Sequence, residues 1–170
     1  MRDVETLFHE FGHALHEMLS QSPYSDLSGF SVEWDFVELP SQIHENWVND
    51  RESLSKLARH FETGAAIPDE MLDKLDTLKT YMSGISTLAQ NSYALLDMAL
   101  YSDTPPSSVE ELDTKALELS NANTIFPKGP DFKMYASFGH IFGGGYAAGY
   151  YSYMRAEILE ADVFEKIKKM

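Results

Sequence analysis

His9 and His13 stand four residues apart with Glu10 directly after the first, an H-E-x-x-H pattern, and no other feature limits this chain as strongly. Residues four apart lie one above the other on an α-helix, so both imidazoles reach one point in space only if the segment is helical. The surrounding residues predict that helix over 3–19. Asp3 is the expected N-cap, and Val4, Leu7, Phe8, Phe11, Leu15 and Met18 recur with helical period. At about 100° per residue, this apolar stripe falls on the face opposite the two histidines. Gly12 inside the helix costs about 1 kcal/mol relative to alanine and marks a close backbone approach.

Two imidazoles so placed hold one zinc ion at about 2.0–2.1 Å each. Glu10 is then near enough to take a proton from a water on the metal, which is the pattern of a zinc-dependent peptidase. The competing reading of the motif alone is a solvated polar helix face that also carries His16 and Glu17.

The composition narrows the chemistry further. There is no cysteine, so a disulfide framework and a thiolate zinc site are both excluded, and any metal must use histidine and carboxylate ligands. The 27 acidic residues against 13 basic ones give a net charge of −14. That disfavours nucleic acid, whose phosphates need a basic surface. No apolar run approaches membrane-span length, and the first residues do not form a secretory signal. No membrane partner is expected, and the cytoplasm is the expected location. A length of 170 residues suits one domain with a real core.

Turn signals divide the rest of the chain into helices, and the fold class expected is all-α with little or no β structure. A loop is expected over 21–31, and a helix over most of 32–49 with Phe36, Ile43 and Trp47 on one face. Pro40 should kink this helix or mark its start, because proline removes a backbone donor. Further helices are expected over 51–63, stopped by Gly64, then from Pro68 to about Tyr81, from Gly84 to Tyr101, and over 109–120. A turn is expected at 103–108 and irregular structure at 121–135. Gly143, Gly144 and Gly145 should lead into a last helix. On it, Tyr146, Tyr150 and Tyr153 would share one face, beside an apolar stripe of Ala147, Tyr151, Met154 and Ile158. The glycine run is not a phosphate loop, since no Lys-Ser/Thr follows and no strand precedes it; a flap or hinge fits better. His16, His44 and His60 are expected to be structural or solvent-facing, and Trp34 and Trp47 to be packing groups.

A catalytic zinc takes three protein ligands and keeps one open position. Glu33, Asp35, Glu38, His44 and Glu45 are the downstream candidates for the third. On a helical 32–49 segment, Glu33 points toward the apolar stripe, whereas Glu38 and Glu45 lie on the opposite face. The pattern favours these two and does not choose between them. Asp35 and Glu45 are candidates for orienting the imidazoles through their second ring nitrogens.

Three blocks in this order carry a family resemblance: H-E-F-G-H-A-L-H at 9–16, V-E-W-D-F-V-E-L-P-S-Q-I-H-E-N-W at 32–47, and F-G-H-I-F-G-G-G-Y-A-A-G-Y-Y-S-Y at 138–153. Together they resemble the thimet oligopeptidase family of zinc metallopeptidases, which includes oligopeptidase A and peptidyl-dipeptidase Dcp, over nearly the whole chain. The resemblance implies Glu38 as the third ligand beside His9 and His13, with Glu10 as general base. It implies substrate contact or transition-state stabilisation for Tyr146, Tyr153 and His140, and more weakly for Tyr150. The implied cofactor is one Zn²⁺ and the implied substrates are short peptides. It further implies that residues 1–170 are a single helical segment of a longer, two-lobed catalytic domain. The rival expectation is a non-catalytic zinc-binding fragment or pseudo-enzyme; a purely structural zinc site would close its fourth position with cysteine or histidine.

Overall fold

The computed structural model describes residues 1–102 and 104–170. Its regular elements are eight α-helices among the described residues: α1 (Arg2–Leu19), α2 (Leu39–Asn49), α3 (Arg51–Leu57), α4 (Asp69–Thr80), α5 (Ser83–Leu100), α6 (Val109–Ala122), α7 (Gly139–Phe142) and α8 (Ser152–Ile167). Short 3-10 turns stand at Ser25–Leu27, Trp34–Phe36 and Met134–Ser137. The described residues form no sheet; one isolated antiparallel bridge joins Arg59 and Ala66. The all-α expectation is met. The expected turn at 103–108 begins on a residue outside the described ones. None of the described helices is long and apolar enough to cross a membrane.

The chain divides into two compact units, one of Met1–Tyr81 with Arg155–Met170 and one of Met82–Met154. In the first unit α1 packs along α2 at Gly12, the only fully buried residue of α1. A Cβ on Gly12 would lie 2.6 Å from the Ser41 Cα and 3.0 Å from the Pro40 carbonyl oxygen. The close approach read from the sequence is therefore real, and it is made against backbone that cannot yield. The expected packing face is not: Val4, Leu7, Phe11 and Met18 are exposed, while His9 and His13 are mostly covered. Helix period identified two faces of α1, but the face with the small residue is the one that admits a neighbour.

Around this pair, Val37, Leu39, Val48, Leu54 and Leu72 are buried, each such side chain stabilising by about 1.5–3 kcal/mol relative to exposure. The segment that returns in α8 is fastened to α2: the Phe164 ring meets Trp47 edge-on at 5.0 Å, and Asn46 donates to Glu160. Lys168 pairs with Asp50 at 3.1 Å. Asp50 caps α3 by accepting from the Ser53 N–H at 3.1 Å. Trp47 is a packing group as expected, and Trp34 is 41% exposed.

Two helices are shorter than the periodicity predicts. The 32–49 segment becomes helical only at Leu39, with Pro40 in the first turn, where its missing N–H costs nothing. The 51–63 segment stops at Leu57, beyond which a helix would gain little burial: Leu57 is 59% and Phe61 90% exposed. The chain instead turns back on itself, with His60 N–H donating to the Ala65 carbonyl at 2.8 Å and Gly64 at φ +70°. Gly64 thus serves a tight turn rather than a helix end. His60 Nδ1 accepts from the Glu62 and Thr63 N–H groups, both at 3.3 Å.

The second unit packs α5 against α6 around Ala94, Leu96, Ala116, Phe138, Ile141 and Tyr150. Ser108 caps α6 through the Glu111 N–H at 3.2 Å. The last helix begins at Ser152, later than expected. Residues 147–151 are turns, and Ala148 takes the left-handed conformation at φ +54°.

Candidate metal centre

Helix α1 sets the two imidazoles side by side, with ring centroids 4.8 Å apart. Glu38 stands one residue before α2 and sends its carboxylate between them. Its Oε2 is 3.3 Å from both His9 Nε2 and His13 Nε2. Ligand atoms of His9, His13 and Glu38 all lie within 4.8 Å of one another, close enough to hold a metal ion. Of the candidate third ligands, the structure brings Glu38 to the pair. The helical-face argument left Glu38 and Glu45 open, and its premise fails, since Glu38 precedes the helix rather than lying on it.

Glu38 is only 1% exposed. A carboxylate that deeply buried needs positive charge or several donors close by. Its near neighbours are the two imidazoles and Ser41, whose hydroxyl lies 2.8 Å from the Glu38 carbonyl oxygen and 3.1 Å from Oε2. Ser41 is itself fully buried and forms the backbone surface that meets Gly12. Sequence reading did not single it out, though its position three residues after Glu38 is the spacing at which a serine reaches back to a helix start.

The second nitrogen of His9 is occupied too. His9 Nδ1 donates to Glu45 Oε1 at 2.5 Å, two turns along α2 from Glu38. This fixes the ring and aims Nε2 toward Glu38, the arrangement found behind metal-bound imidazoles. Hydrogen bonds to Glu38 and then to Glu45 raise the His9 pKa to about 10 against the opposing effect of burial. A metal ion at Nε2 would take the place of a proton shared there with Glu38. The donor set of two imidazoles and one carboxylate, with no thiolate, fits zinc.

Glu33, Asp35, His16 and His44 stand outside the cluster of His9, His13 and Glu38. Asp35 pairs with Arg155 instead of an imidazole. Glu33 is exposed. His44 Nδ1 donates to the Phe8 carbonyl at 2.8 Å and stacks on the Phe8 ring, and His16 meets Phe30 and Phe36 edge-on; both are structural, as expected. Phe30 also stands edge-on to His13 at 5.7 Å. Glu10 is exposed, one residue after His9 on α1.

Within the second unit, His140, Tyr146, Tyr150 and Tyr153 form one group of rings. Tyr146 and Tyr153 stack at 5.1 Å with 20° between their planes. His140 meets Tyr146 at 5.7 Å and Tyr153 at 6.0 Å, both edge-on. The expected convergence occurs, but not through helical spacing, because Tyr146 and Tyr150 precede α8. The Gly143–Gly145 run turns the chain back so that Tyr146 N–H donates to the His140 carbonyl at 3.0 Å. Tyr150 belongs to the core, and its phenol is pushed up to about 12, first by burial and then by Tyr93, against a hydrogen bond from Gln90.

The family model for peptidase family M3 matches residues 1–170. The organellar oligopeptidase A (chloroplastic/mitochondrial) of Arabidopsis thaliana is 43% identical over 164 residues, which is 96% of this chain and 21% of that protein. Oligopeptidase A of Escherichia coli is 40% identical over 168 residues, 98% of this chain and 25% of that protein. The dipeptidyl carboxypeptidase of Escherichia coli is 40% identical over 166 residues, 96% of this chain and 24% of that protein. The chain spans at most a quarter of the length of these curated relatives. With the family model matched from the first residue to the last, the chain belongs to peptidase family M3.

Proposed function

We propose that this chain carries the metal centre of a zinc-dependent peptidase that hydrolyses peptide bonds in short peptides. The observation that supports this reading best is the buried Glu38 carboxylate 3.3 Å from the Nε2 atoms of both motif histidines. In the proposal His9, His13 and Glu38 hold one Zn²⁺, and residues 1–170 form one helical segment of a larger catalytic domain. When bound, zinc supplies Lewis acidity and lowers the pKa of water toward about 7. Glu10 takes a proton from the attacking water and returns it to the leaving amine nitrogen. Glu45 keeps the His9 ring oriented, and Ser41 keeps the Glu38 carboxylate in place. His140, Tyr146 and Tyr153 contact the substrate or donate hydrogen bonds to the developing oxyanion, a role supported by the convergence of their rings.

The substrate class follows the relatives, named as oligopeptidases and a dipeptidyl carboxypeptidase. Neither a nucleic-acid nor a membrane partner is proposed. The cytoplasm is the proposed location; among the relatives, one is named cytosolic and another chloroplastic/mitochondrial.

Substituting Glu10→Gln tests the reading. A peptidase keeps its zinc at one equivalent and loses cleavage of a fluorogenic peptide by about 10²- to 10⁴-fold. Unchanged cleavage would reject Glu10 as the base, and absence of stoichiometric zinc in the unsubstituted chain would reject the metal centre.

A further inference from the structure

One buried charge takes no part in the metal cluster. Asp97, in the last part of α5, is 0% exposed and lies in the otherwise apolar run 94–100. Both its oxygens are used by backbone: Oδ1 accepts from the Ala148 N–H and Oδ2 from the Tyr150 N–H, each at 2.8 Å. These are charge-assisted bonds, short and roughly twice as strong as neutral ones.

The backbone so held is strained. Ala148 sits at φ +54°, a left-handed conformation that costs an alanine roughly 1–2 kcal/mol. The surrounding turn is closed by Gly149 N–H to the Tyr146 carbonyl at 2.8 Å and by Ser152 N–H to the Gly149 carbonyl at 3.0 Å. One turn after Asp97, the Tyr101 hydroxyl donates to the Ile141 carbonyl at 2.5 Å, next to His140. Asp97 on α5 and Tyr101 just beyond its end therefore grip the ring-bearing segment at two points, on either side of the glycine run.

We propose that Asp97 is a positioning residue: by clamping the N–H groups of Ala148 and Tyr150 it fixes the turn that sets Tyr146 and Tyr153 against His140. The proposal rests on the reading above in which those rings act on the substrate. Asp97 touches none of the reacting atoms; it acts through the backbone between the tyrosines.

The experiment replaces Asp97 by asparagine in the full chain. The amide matches the carboxylate in shape, but it has one acceptor oxygen and turns an N–H donor toward the second N–H. With fluorotyrosine incorporated and resonances assigned by single Tyr→Phe variants, D97N is expected to shift the ¹⁹F signals of Tyr146, Tyr150 and Tyr153 while bound zinc stays at one equivalent. In the peptide assay kcat is expected to fall by up to about 100-fold with KM little changed, and the loss should vanish in a Tyr146→Phe/Tyr153→Phe background. Unmoved tyrosine signals, or an unchanged kcat where Tyr153→Phe lowers it, would overturn the proposal. Full activity of the two tyrosine variants would instead refute the catalytic reading of the rings, leaving the fluorine shifts to decide the clamp. Should D97N fail to fold, amide exchange in the unsubstituted chain decides: slow exchange at Ala148 and Tyr150 supports the clamp, and exchange at loop rates refutes it.

Discussion

Glu38 and Asp97 are both carboxylates withdrawn from solvent, one in each unit, and they are satisfied in opposite ways. Glu38 faces side chains, two imidazoles that can exchange a proton for a metal ion. Asp97 faces two backbone N–H groups that can exchange nothing. The same desolvation cost is thus met once by groups able to change state and once by groups that cannot. Burial of an acid does not by itself mark a reactive site; the chemistry of whatever answers its charge does.

The contrast breaks most visibly at Glu38. Glu38→Ala should lower zinc affinity by more than the 10- to 100-fold associated with an orienting carboxylate, measured by chelator competition, whereas Asp97→Ala should leave zinc affinity unchanged. Equal effects of the two substitutions would abolish the distinction. Next in size, Glu45→Gln should cost about 10- to 100-fold in zinc affinity, because its amide cannot match the carboxylate behind His9 Nδ1. In denaturant titrations Asp97→Ala should lower stability by about 1–3 kcal/mol for each N–H left without a partner. Gly12→Ala should cost about 1–3 kcal/mol through overpacking and should also weaken zinc binding, since α2 carries Glu45 and follows Glu38.

The smallest effect concerns a carboxylate of a third kind, partly exposed. Burial works to raise the Asp50 pKa, but the Ser53 N–H, Lys168 and the Ser53 hydroxyl together hold it below 3.8. A depressed carboxylate contributes stability above its unfolded pKa and loses it as pH falls through the folded value. Asp50→Ala should therefore cost about 1 kcal/mol at neutral pH, and the difference from the unsubstituted chain should shrink below pH ~3.8, as followed by acid titration of the denaturation midpoint.

The metal face was legible because its rule is local. Histidines four apart on one helix converge whatever surrounds them, and Gly12 announces a close neighbour through its missing Cβ. The choice of Glu38 over Glu45 rested on the resemblance, because periodicity presumed a helix across Glu38 that begins only at Leu39. The apolar stripe of α1 misled, since hydrophobic pattern ranks faces by composition while Gly12 lets α2 approach on the other side. In the second unit the sequence spacing places Tyr146 and Tyr150 on a helix, yet turns bring the rings together. An alanine gives no sign of the left-handed backbone it adopts at position 148. Asp97 does leave a trace in the sequence, a single acid among the apolar residues 94–100.

Contact between Gly12 and Ser41 has a thermodynamic corollary. Sliding or rotating α2 along α1 would drive backbone into backbone, so the spacing between imidazoles and carboxylate would already be set for any ion that bound there. Ion capture then has little chain entropy left to remove. Calorimetry should record a heat-capacity change close to zero on zinc uptake, unlike that of small domains which fold around their metal.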